Sequence, residues 1–420
     1  MFAFAFTWHL LAVMAGGWSR THHVRHGRDF ASYHYAVEVA VSGGNPYDVG
    51  QLQAAARQDR IRNSVHPYLY APPFLLMMSW TQAFDLPRAF HLWFWLHTGL
   101  GVLTAWGLWR WWRPWGGDLI GVCIALAFAL MTAVPNNHAM GQANFAGLGL
   151  ALAGLALAQG QRPAWGGVAM GAACMLKMSP ALFVMWWILR REWTAVIAAC
   201  ATGLGLSLLA LTVVAGDVQI GFFTEVLPTF GAGSYNGLRV PIGLFGNHSV
   251  PNLWDAALPH PGFGLGPAAR LASQVSALAL LAAVAVAFRR PVGAPDGLAA
   301  QIACVGVVIL LVPVFTYEHH LVFAIPALAV SAWAAATGRL PVALTALAAA
   351  SFVVLCFDLQ ALKRMAEADR FGLSWLGGLF RELKFGGLIG LLITTAYLGS
   401  AHDDATLADP RSRRPPLPTP

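Results

Sequence analysis

Long apolar stretches, divided by short polar or arginine-containing segments, recur along most of the chain. One helical crossing of a membrane needs about 20 apolar residues, so the pattern predicts about twelve transmembrane helices. The predicted spans are 2–19, 90–109, 118–135, 143–160, 164–177, 178–189, 194–215, 270–288, 297–315, 321–337, 341–358 and 385–400. We therefore expect an all-α polytopic membrane protein in which residues 1–400 form a single transmembrane domain.

Two apolar stretches do not fit simple crossings. Residues 164–189 are too short for two full spans, which predicts a broken hairpin with Lys177–Pro180 at its tip. The run 68–84 is interrupted by Pro72 and Pro73 and has few flanking charges, so we expect a helix that lies partly in the membrane interface.

A shorter periodic segment follows the first predicted span. Residues 30–41 repeat apolar side chains at helical spacing, and Gly43-Gly44-Asn45-Pro46 then predicts a turn. Asp29 stands at the start of this amphipathic helix. It is either an N-cap, a position that aspartate favours, or a carboxylate placed for chemistry at a membrane surface.

Arginine orients the predicted helices. With 68–84 not spanning, alternate short loops and the tail are basic, which makes them and both termini cytoplasmic. These arginines are Arg110, Arg113, Arg162, Arg190, Arg191, Arg289, Arg290, Arg339, Arg411, Arg413 and Arg414. The large loops 20–89, 216–269 and 359–384 then lie outside, and the polar, proline-rich segment 401–420 forms a disordered cytoplasmic tail.

Two of the external loops carry basic residues on the unexpected side: Arg20, Arg25, Arg28, Lys363, Arg364, Arg370, Arg381 and Lys384. Long loops are partly exempt from the positive-inside rule, and binding of a lipid phosphate is the functional alternative. The sequence does not decide between these two explanations of the basic residues.

Composition agrees with a membrane protein, since 57% of residues are hydrophobic, 11% are charged and the mean hydropathy is +0.58. The net charge of +7 reflects arginines that border membrane segments, so we expect no nucleic-acid partner. The five cysteines lie in apolar runs without CxxC spacing and are interpreted as packing residues. Residues 1–18 lack a basic n-region and an A-x-A site, which predicts a retained helix.

Polar residues collect on the predicted external side, and they include Asp29, Glu38, Asp48, Asn136, Asn137, His138, Gln142, Asn144, Glu225, Asn247, His248, Asp255, Glu318, His319 and His320. Polar groups at membrane depth are costly and usually face a cavity or one another. This one-sided set predicts a cavity that opens away from the cytoplasm.

Several members of this set have a structural and a functional interpretation. Asn144 is either a helix N-cap or, with Gln142, a holder of sugar hydroxyls. Lys177 either snorkels or neutralises a phosphate or carboxylate. Paired His319 and His320 suit hydrogen bonds to phosphate or sugar better than a metal, because only Glu318 stands near them as a further ligand.

Asn247-His248-Ser249 adds to the polar residues on the predicted external side, and it also fits a glycosylation sequon. No Walker loop, GxSxG, HExxH or DxD string stands on the polar face, so a nucleotide donor handled from the cytoplasm is not expected. We expect no metal and no cofactor.

An ordered set of short strings resembles glycosyltransferase family 87, enzymes of the GT-C class that use polyprenyl-phosphate sugars. The matching residues are Asp29-Phe30 with Tyr33 and Ala36, Gly44-Asn45-Pro46-Tyr47-Asp48, Tyr68 with Tyr70 and Pro72-Pro73-Phe74, Gly141-Gln142 with Asn144, Lys177 with Pro180, Asn247 with Ser249, and His319-His320. The set runs over about residues 28–325. Met178 and His248 depart from the pattern, where the family often has Pro and Gln.

The resemblance implies a GT-C fold, with interfacial helices in the first external loop and a catalytic aspartate that maps onto Asp29. That aspartate would be the general base of an inverting transfer from a polyprenyl-phosphate sugar, most often mannose and sometimes arabinose, to a lipid or glycan acceptor. Donor-binding candidates are Lys177, His319, His320, Gln142, Asn144, Tyr33 and Asn247, and acceptor-binding or loop-shaping candidates are Asn45, Tyr47, Asp48 and Tyr70. The expected location is a bacterial plasma membrane, with the site on the periplasmic or extracellular side.

The principal alternative is a transporter or flippase of a glycolipid or anionic lipid, which would also have about twelve spans and broken helices. No internal repeat is visible, and the external loops are longer than alternating access requires. An enzyme that ligates a diphosphate-linked oligosaccharide is a third interpretation. It should centre on a late loop with Arg and His, whereas 359–384 contains no His.

Overall fold

The computed structural model describes residues 27–61, 65–237, 240–289, 292–358, 363 and 374–400. The first predicted span, Arg20, Arg25, Arg290, Arg364, Arg370 and the tail lie outside the described residues. The described part is helical, without a strand. Its helices are α1 Arg28–Val41, α2 Val49–Gln58, α3 Pro72–Met78, α4 Leu86–Leu130, α5 Ala133–Met140, α6 Asn144–Gln159, α7 Pro163–Leu176, α8 Ala181–Leu189, α9 Trp193–Leu209, α10 Gly216–Gly221, α11 Leu227–Ala232, α12 Val250–Ala257, α13 Pro267–Ala287, α14 Pro295–Leu311, α15 Ile325–Ala336, α16 Val342–Cys356 and α17 Ser374–Ser400.

Several of these helices suit a membrane. Among the described residues, five helical segments are long and apolar enough to cross one: Leu86–Leu130, Trp193–Thr212, Pro267–Ala287, Glu318–Ala336 and Gly378–Ser400. The pair α5 and α6, bent by 118°, can make a sixth. The chain is therefore an all-α polytopic membrane protein, and the count of twelve spans remains a prediction.

Helix α4 folds back on itself near Pro114 and Gly117. Gly117 has φ 62° and ψ −154°, a conformation that glycine adopts without strain. A Cβ on Gly121 would lie 2.6 Å from the Trp109 ring, although these residues would be about 18 Å apart along a straight helix. The predicted spans 90–109 and 118–135 are thus the two arms of one hairpin.

The predicted break near Lys177 is present. Helix α7 ends at Leu176 and α8 begins at Ala181, with Lys177 in an extended conformation between them. Glycines bring α7 very close to its neighbours: a Cβ on Gly166 would lie 2.6 Å from a backbone oxygen of α6, and one on Gly167 would lie 2.3 Å from a backbone oxygen of α9. Small residues at these contacts fix the position of the α7 end that presents Lys177.

The segment 68–84 forms α3 and a 3₁₀ turn, Ser79–Ala83. Its twelve residues extend only about 18 Å as a helix, which is too short to cross a membrane. Phe74, Leu75 and Met78 are buried against α1, in an apolar cluster that also contains Phe30 and Tyr35. A helix of this length does not reach across a membrane by itself, and the interfacial position of 68–84 remains a prediction.

Two apolar cores meet at the site. One core consists of the cluster around α1, α2 and α3, and the other unites residues of α4 to α9 with α14 to α17. The cavity described below is lined by Tyr33 and Leu176 from the first core and by Ile309, Leu310 and Phe323 from the second.

Candidate active site

Asp29 lies in the first turn of α1, but it does not cap the helix. The N-cap is Gly27, with φ 72° and no side-chain capping bond. The Asp29 carboxylate instead accepts a hydrogen bond from His66 Nδ1 at 2.7 Å and another from Gln142 Nε2 at 2.7 Å. The interpretation of Asp29 as only a cap is wrong, because both carboxylate oxygens are directed to side chains distant in sequence.

The surroundings of Asp29 favour its charged form. Burial raises the pKa of this carboxyl, but the hydrogen bond from His66, the nearby His319 and His66 imidazoles and the bond from Gln142 outweigh burial. The pKa of Asp29 is therefore below its ordinary value of 3.8. The carboxylate is ionised at neutral pH, as a proton acceptor must be.

Gln142 connects the other polar residues of the site through hydrogen bonds. Its Oε1 accepts hydrogen bonds from Tyr70 OH at 2.7 Å and Lys177 Nζ at 3.4 Å, with Tyr33 OH also 3.4 Å away, and its Nε2 donates to Asp29 at 2.7 Å. Gln142 follows Gly141, which ends α5 with φ 71°, and a Cβ on Gly141 would lie 2.6 Å from the Cβ of Phe30. Only glycine allows α1 to approach the end of α5 this closely.

Two tyrosines form the wall beside the carboxylate. Tyr33 lies one turn after Asp29 on α1, and its hydroxyl donates to Tyr70 OH at 2.6 Å. Burial, aided by the negative charge of Asp29, raises the pKa of Tyr33 well above 10, so it is a neutral hydroxyl. Both side chains line the cavity.

Lys177 does not snorkel. Its Nζ donates to Gln142 Oε1 at 3.4 Å and to Asn144 Oδ1. Asn144 Nδ2 donates to Asn137 Oδ1 at 2.9 Å and to the His319 carbonyl at 2.8 Å, so Asn144 is not a cap either, and the N-cap of α6 is Ala143. In the described part of the chain Lys177 pairs directly with no carboxylate, and its side chain lines the cavity.

His319 and His320 both line the cavity, with ring centroids 4.3 Å apart and planes at 82°. The Tyr317 backbone N–H donates to His320 Nδ1 at 3.1 Å, so the proton of a neutral His320 is on Nε2, which can donate to an anion. Within the described ranges, no third ligand completes a metal site with these two residues.

The turn that carries the histidines is anchored by a buried ion pair. Lys384 Nζ lies 2.5 Å from Glu318 Oε1, and both side chains are at most 4% exposed. Thr132 Oγ1 also donates to Glu318 Oε1 at 2.5 Å, and His248 Nε2 lies 3.5 Å from Oε2. The suggestion that Lys384 serves a lipid phosphate is corrected, because its ammonium group is already paired and enclosed.

The prediction that Asn247 binds the donor is also corrected, because Asn247 supports the backbone around the site. It does not line the cavity, and its Nδ2 donates to the carbonyls of Ile242 and Val314 at 3.1 and 2.9 Å. Its Oδ1 accepts from the Thr316 N–H at 2.9 Å. Asn247 is 2% exposed, which excludes the sequon interpretation in this fold.

Asn45, Tyr47 and Asp48 shape the first external loop. Asn45 Oδ1 accepts from the Tyr47 N–H at 2.9 Å, and Asp48 caps α2 by accepting from the Gly50 N–H at 2.7 Å. Tyr47 OH donates to the Tyr70 carbonyl at 2.8 Å, so the loop supports one wall of the cavity without lining it.

The cavity has a volume of about 810 Å³ and is lined by both polar and apolar side chains. The polar lining residues include Asp29, Lys177, His319 and His320. The apolar lining residues include Met178, Leu182, Met185, Phe245, Ile309, Leu310 and Val312.

His66 is the site residue that sequence reasoning missed. It lies in the irregular segment between α2 and α3, where no periodicity indicates which way a side chain points. The available signal was a histidine on the predicted external face directly before Pro67.

The fold and the site define a helical membrane protein with a carboxylate, an ammonium group and imidazoles around one cavity. The family model of glycosyltransferase family 87 matches residues 68–313, more than half of the 420-residue chain. The protein belongs to this family and is a membrane glycosyltransferase. No curated protein matches the chain.

The matched region contains Tyr70, Gln142, Asn144 and Lys177. Asp29, Tyr33, His66, His319 and His320 lie beyond its limits and reach the same cavity through the fold. Because the family is one of glycosyltransferases, membership favours the enzyme over the transporter.

Proposed function

We propose that this protein moves a sugar from a polyprenyl-phosphate donor to a hydroxyl of a lipid or glycan acceptor, with inversion at the anomeric carbon. Mannose is the first donor sugar to test and a pentose the second. We place the reaction on the periplasmic or extracellular side of a bacterial plasma membrane. The supporting observation is a single cavity in which an oriented carboxylate, Asp29, shares the wall with Lys177, His319 and His320.

Asp29 is the proposed general base. As the acceptor oxygen attacks C1 of the sugar, its proton passes to Asp29 and the bond from C1 to the phosphate oxygen breaks. The electron pair of that bond leaves with the phosphate. Attack from the face opposite the leaving group inverts C1.

The charge that grows on the leaving phosphate needs stabilisation from groups already in place. Lys177 contributes a positive charge, and His319 and His320 contribute imidazole N–H donors. The amides of Gln142 and Asn144 hold Lys177 in position. Each of these groups is held before substrate binds, so little reorganisation is needed in the transition state.

The apolar wall of the cavity supports a donor that is itself a lipid. Met185 lines the cavity and is 49% exposed, and Leu182 and Phe245 line it as well. A polyprenyl chain would pack against these side chains. A nucleotide sugar would meet no matching polar groups on that wall.

The test is transfer by purified protein in detergent, with radiolabelled polyprenyl-phosphate mannose as donor and membrane lipid extract as acceptor. Wild type should transfer label, and Asp29→Asn should lose about 100- to 10,000-fold in rate, because the amide cannot accept the proton. Asp217→Asn, which changes an exposed aspartate outside the cavity, is the matched control and should retain wild-type activity.

Equal transfer by wild type and Asp29→Asn would contradict the role of Asp29. If mannose is not transferred, polyprenyl-phosphate arabinose and glucose are tried next. Absence of transfer from all three donors would count against a polyprenyl-phosphate donor.

A further inference from the structure

We propose that His34, Glu38 and Asp59 form a binding site for a divalent transition-metal cation, separate from the cavity. One potential ligand atom from each of the three side chains lies within 4.8 Å of the other two. Ligands at 2.0–2.4 Å on opposite sides of a metal ion are about 4–5 Å apart, so the three atoms span the distance that one cation bridges. None of the three residues lines the cavity.

The burial of the His34 imidazole without a hydrogen-bond partner for its Nδ1 points to a ligand. The residue is 4% exposed, and its Nδ1 is buried without a hydrogen-bond partner. Buried polar atoms are nearly always satisfied, and an orphan imidazole nitrogen is costly. A ring nitrogen of His34 lies within 4.8 Å of a carboxylate oxygen of Glu38 and of Asp59, so this imidazole is placed to bind a metal ion between the three side chains.

The charges match a divalent ion. Neither Glu38 nor Asp59 forms an ion pair with another side chain in the described ranges. Two carboxylates with one neutral imidazole would balance a cation of charge +2. Tyr35 OH donates to Asp59 Oδ2 at 3.1 Å and would hold that ligand in place, as outer partners of metal ligands commonly do.

The ligand types select the class of metal. Ca²⁺ and Mg²⁺ prefer oxygen ligands only, whereas one imidazole with two carboxylates suits Zn²⁺ or Mn²⁺. We therefore expect Zn²⁺ to bind and Ca²⁺ to bind far more weakly.

The position of the site gives it a mechanical role. His34 and Glu38 are one turn apart on α1, and Asp59 is the C-cap residue of α2. A cation held by all three would tie the two helices together on a face of α1 other than the one that carries Asp29 and Tyr33. This site is independent of the proposed reaction, and its test does not require transfer activity.

The experiment uses the full chain, purified in detergent through a tag that contains no histidine. Zn²⁺ is titrated in competition with a chromophoric chelator, and wild type is compared with Asp59→Asn, Glu38→Gln and His34→Gln. Asp59 is exposed, so Asp59→Asn should fold normally and serves as the decisive variant. Glu225→Gln and His260→Gln change exposed residues away from the cluster and are the controls.

We expect wild type and both controls to bind one equivalent of Zn²⁺ that Asp59→Asn and Glu38→Gln bind at least about tenfold more weakly. Zn²⁺ should also raise the unfolding temperature of wild type but not of Asp59→Asn, since a ligand of the folded state stabilises it. Absence of this equivalent in wild type, or equal Zn²⁺ affinity in wild type and Asp59→Asn, would overturn the proposal. Ca²⁺ binding at equal affinity would overturn the assignment to transition metals.

Discussion

At the scale of single residues, the two central side chains of the site, Asp29 and Lys177, are positioned by hydrogen bonds with neighbouring side chains. Asp29 is fixed from two directions by His66 and Gln142, and Lys177 is fixed by Gln142 and Asn144. A general base must be both ionised and directed at the proton it accepts. His66 contributes to both properties of Asp29.

Replacing His66 with asparagine should move the acid limb of the pH–rate profile upward. The imidazole of His66 lowers the pKa of Asp29 by a hydrogen bond and by its charge, and asparagine at this position carries no charge, so that pKa rises. The base works only when ionised, and activity that falls as pH decreases through this pKa should therefore fall at a higher pH in His66→Asn. The measurement is kcat/KM from about pH 2.5 to pH 8, a range that includes the acid limb of both enzymes.

His260→Asn, at an exposed position, is the control for this change and should retain the wild-type profile. A His66→Asn enzyme with lower activity but an unmoved acid limb would show that His66 supports the loop without acting on the ionisation of Asp29.

At the scale of elements, the turn before α15 is fastened to α17. The connection is the pair of Glu318 and Lys384, with Thr132 from the segment between α4 and α5 as a third member. Because Glu318 directly precedes His319, this contact determines where the paired imidazoles stand. Removal of one partner leaves a buried charge uncompensated, which is costlier than never having the pair.

Lys384→Met should destabilise the fold by about 3–5 kcal/mol, and adding Glu318→Gln should recover part of this loss. The measurement is thermal unfolding in detergent of wild type, both single variants and the double variant. The exposed Arg57→Met is a control for loss of a positive charge and should leave the unfolding temperature unchanged. Additive losses in the double variant would show that the two residues do not stabilise one another.

At the scale of the whole molecule, the arrangement of arginines predicts which end of the bundle faces the cytoplasm. The cavity lies near α1 and the turn at Glu318, whereas Arg190 and Arg339 lie at the opposite ends of α8 and α15, over the rings of Trp186 and Trp333. Arginine and tryptophan at helix ends are typical of a membrane interface.

Cysteine labelling tests this orientation. In a background without native cysteines, Asp217→Cys should react with a membrane-impermeant maleimide in intact spheroplasts, and Arg191→Cys should react only after permeabilisation. Both positions lie outside the predicted spans, so both sites are accessible once the reagent reaches their side. The reverse labelling pattern would place the cavity on the cytoplasmic side and overturn the proposed orientation.

Much of the architecture was predictable from local patterns. The break at Lys177, the turn after Val41 and the short helix at 72–78 all follow from apolar runs interrupted by proline, glycine or charge. A backbone in a membrane must satisfy its hydrogen bonds internally, so apolar runs have little choice other than helix. The residue types of the site were predictable for a related reason, since polar groups at membrane depth are costly without a partner.

The partners of those polar groups were decided only by the tertiary structure. Asp29 meets His66 and Gln142 across 37 and 113 residues of sequence, and Lys384 meets Glu318 across 66. Periodicity reports which face of a helix is apolar, but it contains no information on which distant side chain will lie opposite. The sequence by itself determined that this protein is a helical membrane protein with one-sided polar chemistry. Packing of the two cores decided that Asp29 is an oriented base, that Asn247 and Lys384 are supports, and that Lys177 faces the cavity, because each role depends on a contact between segments far apart in the chain.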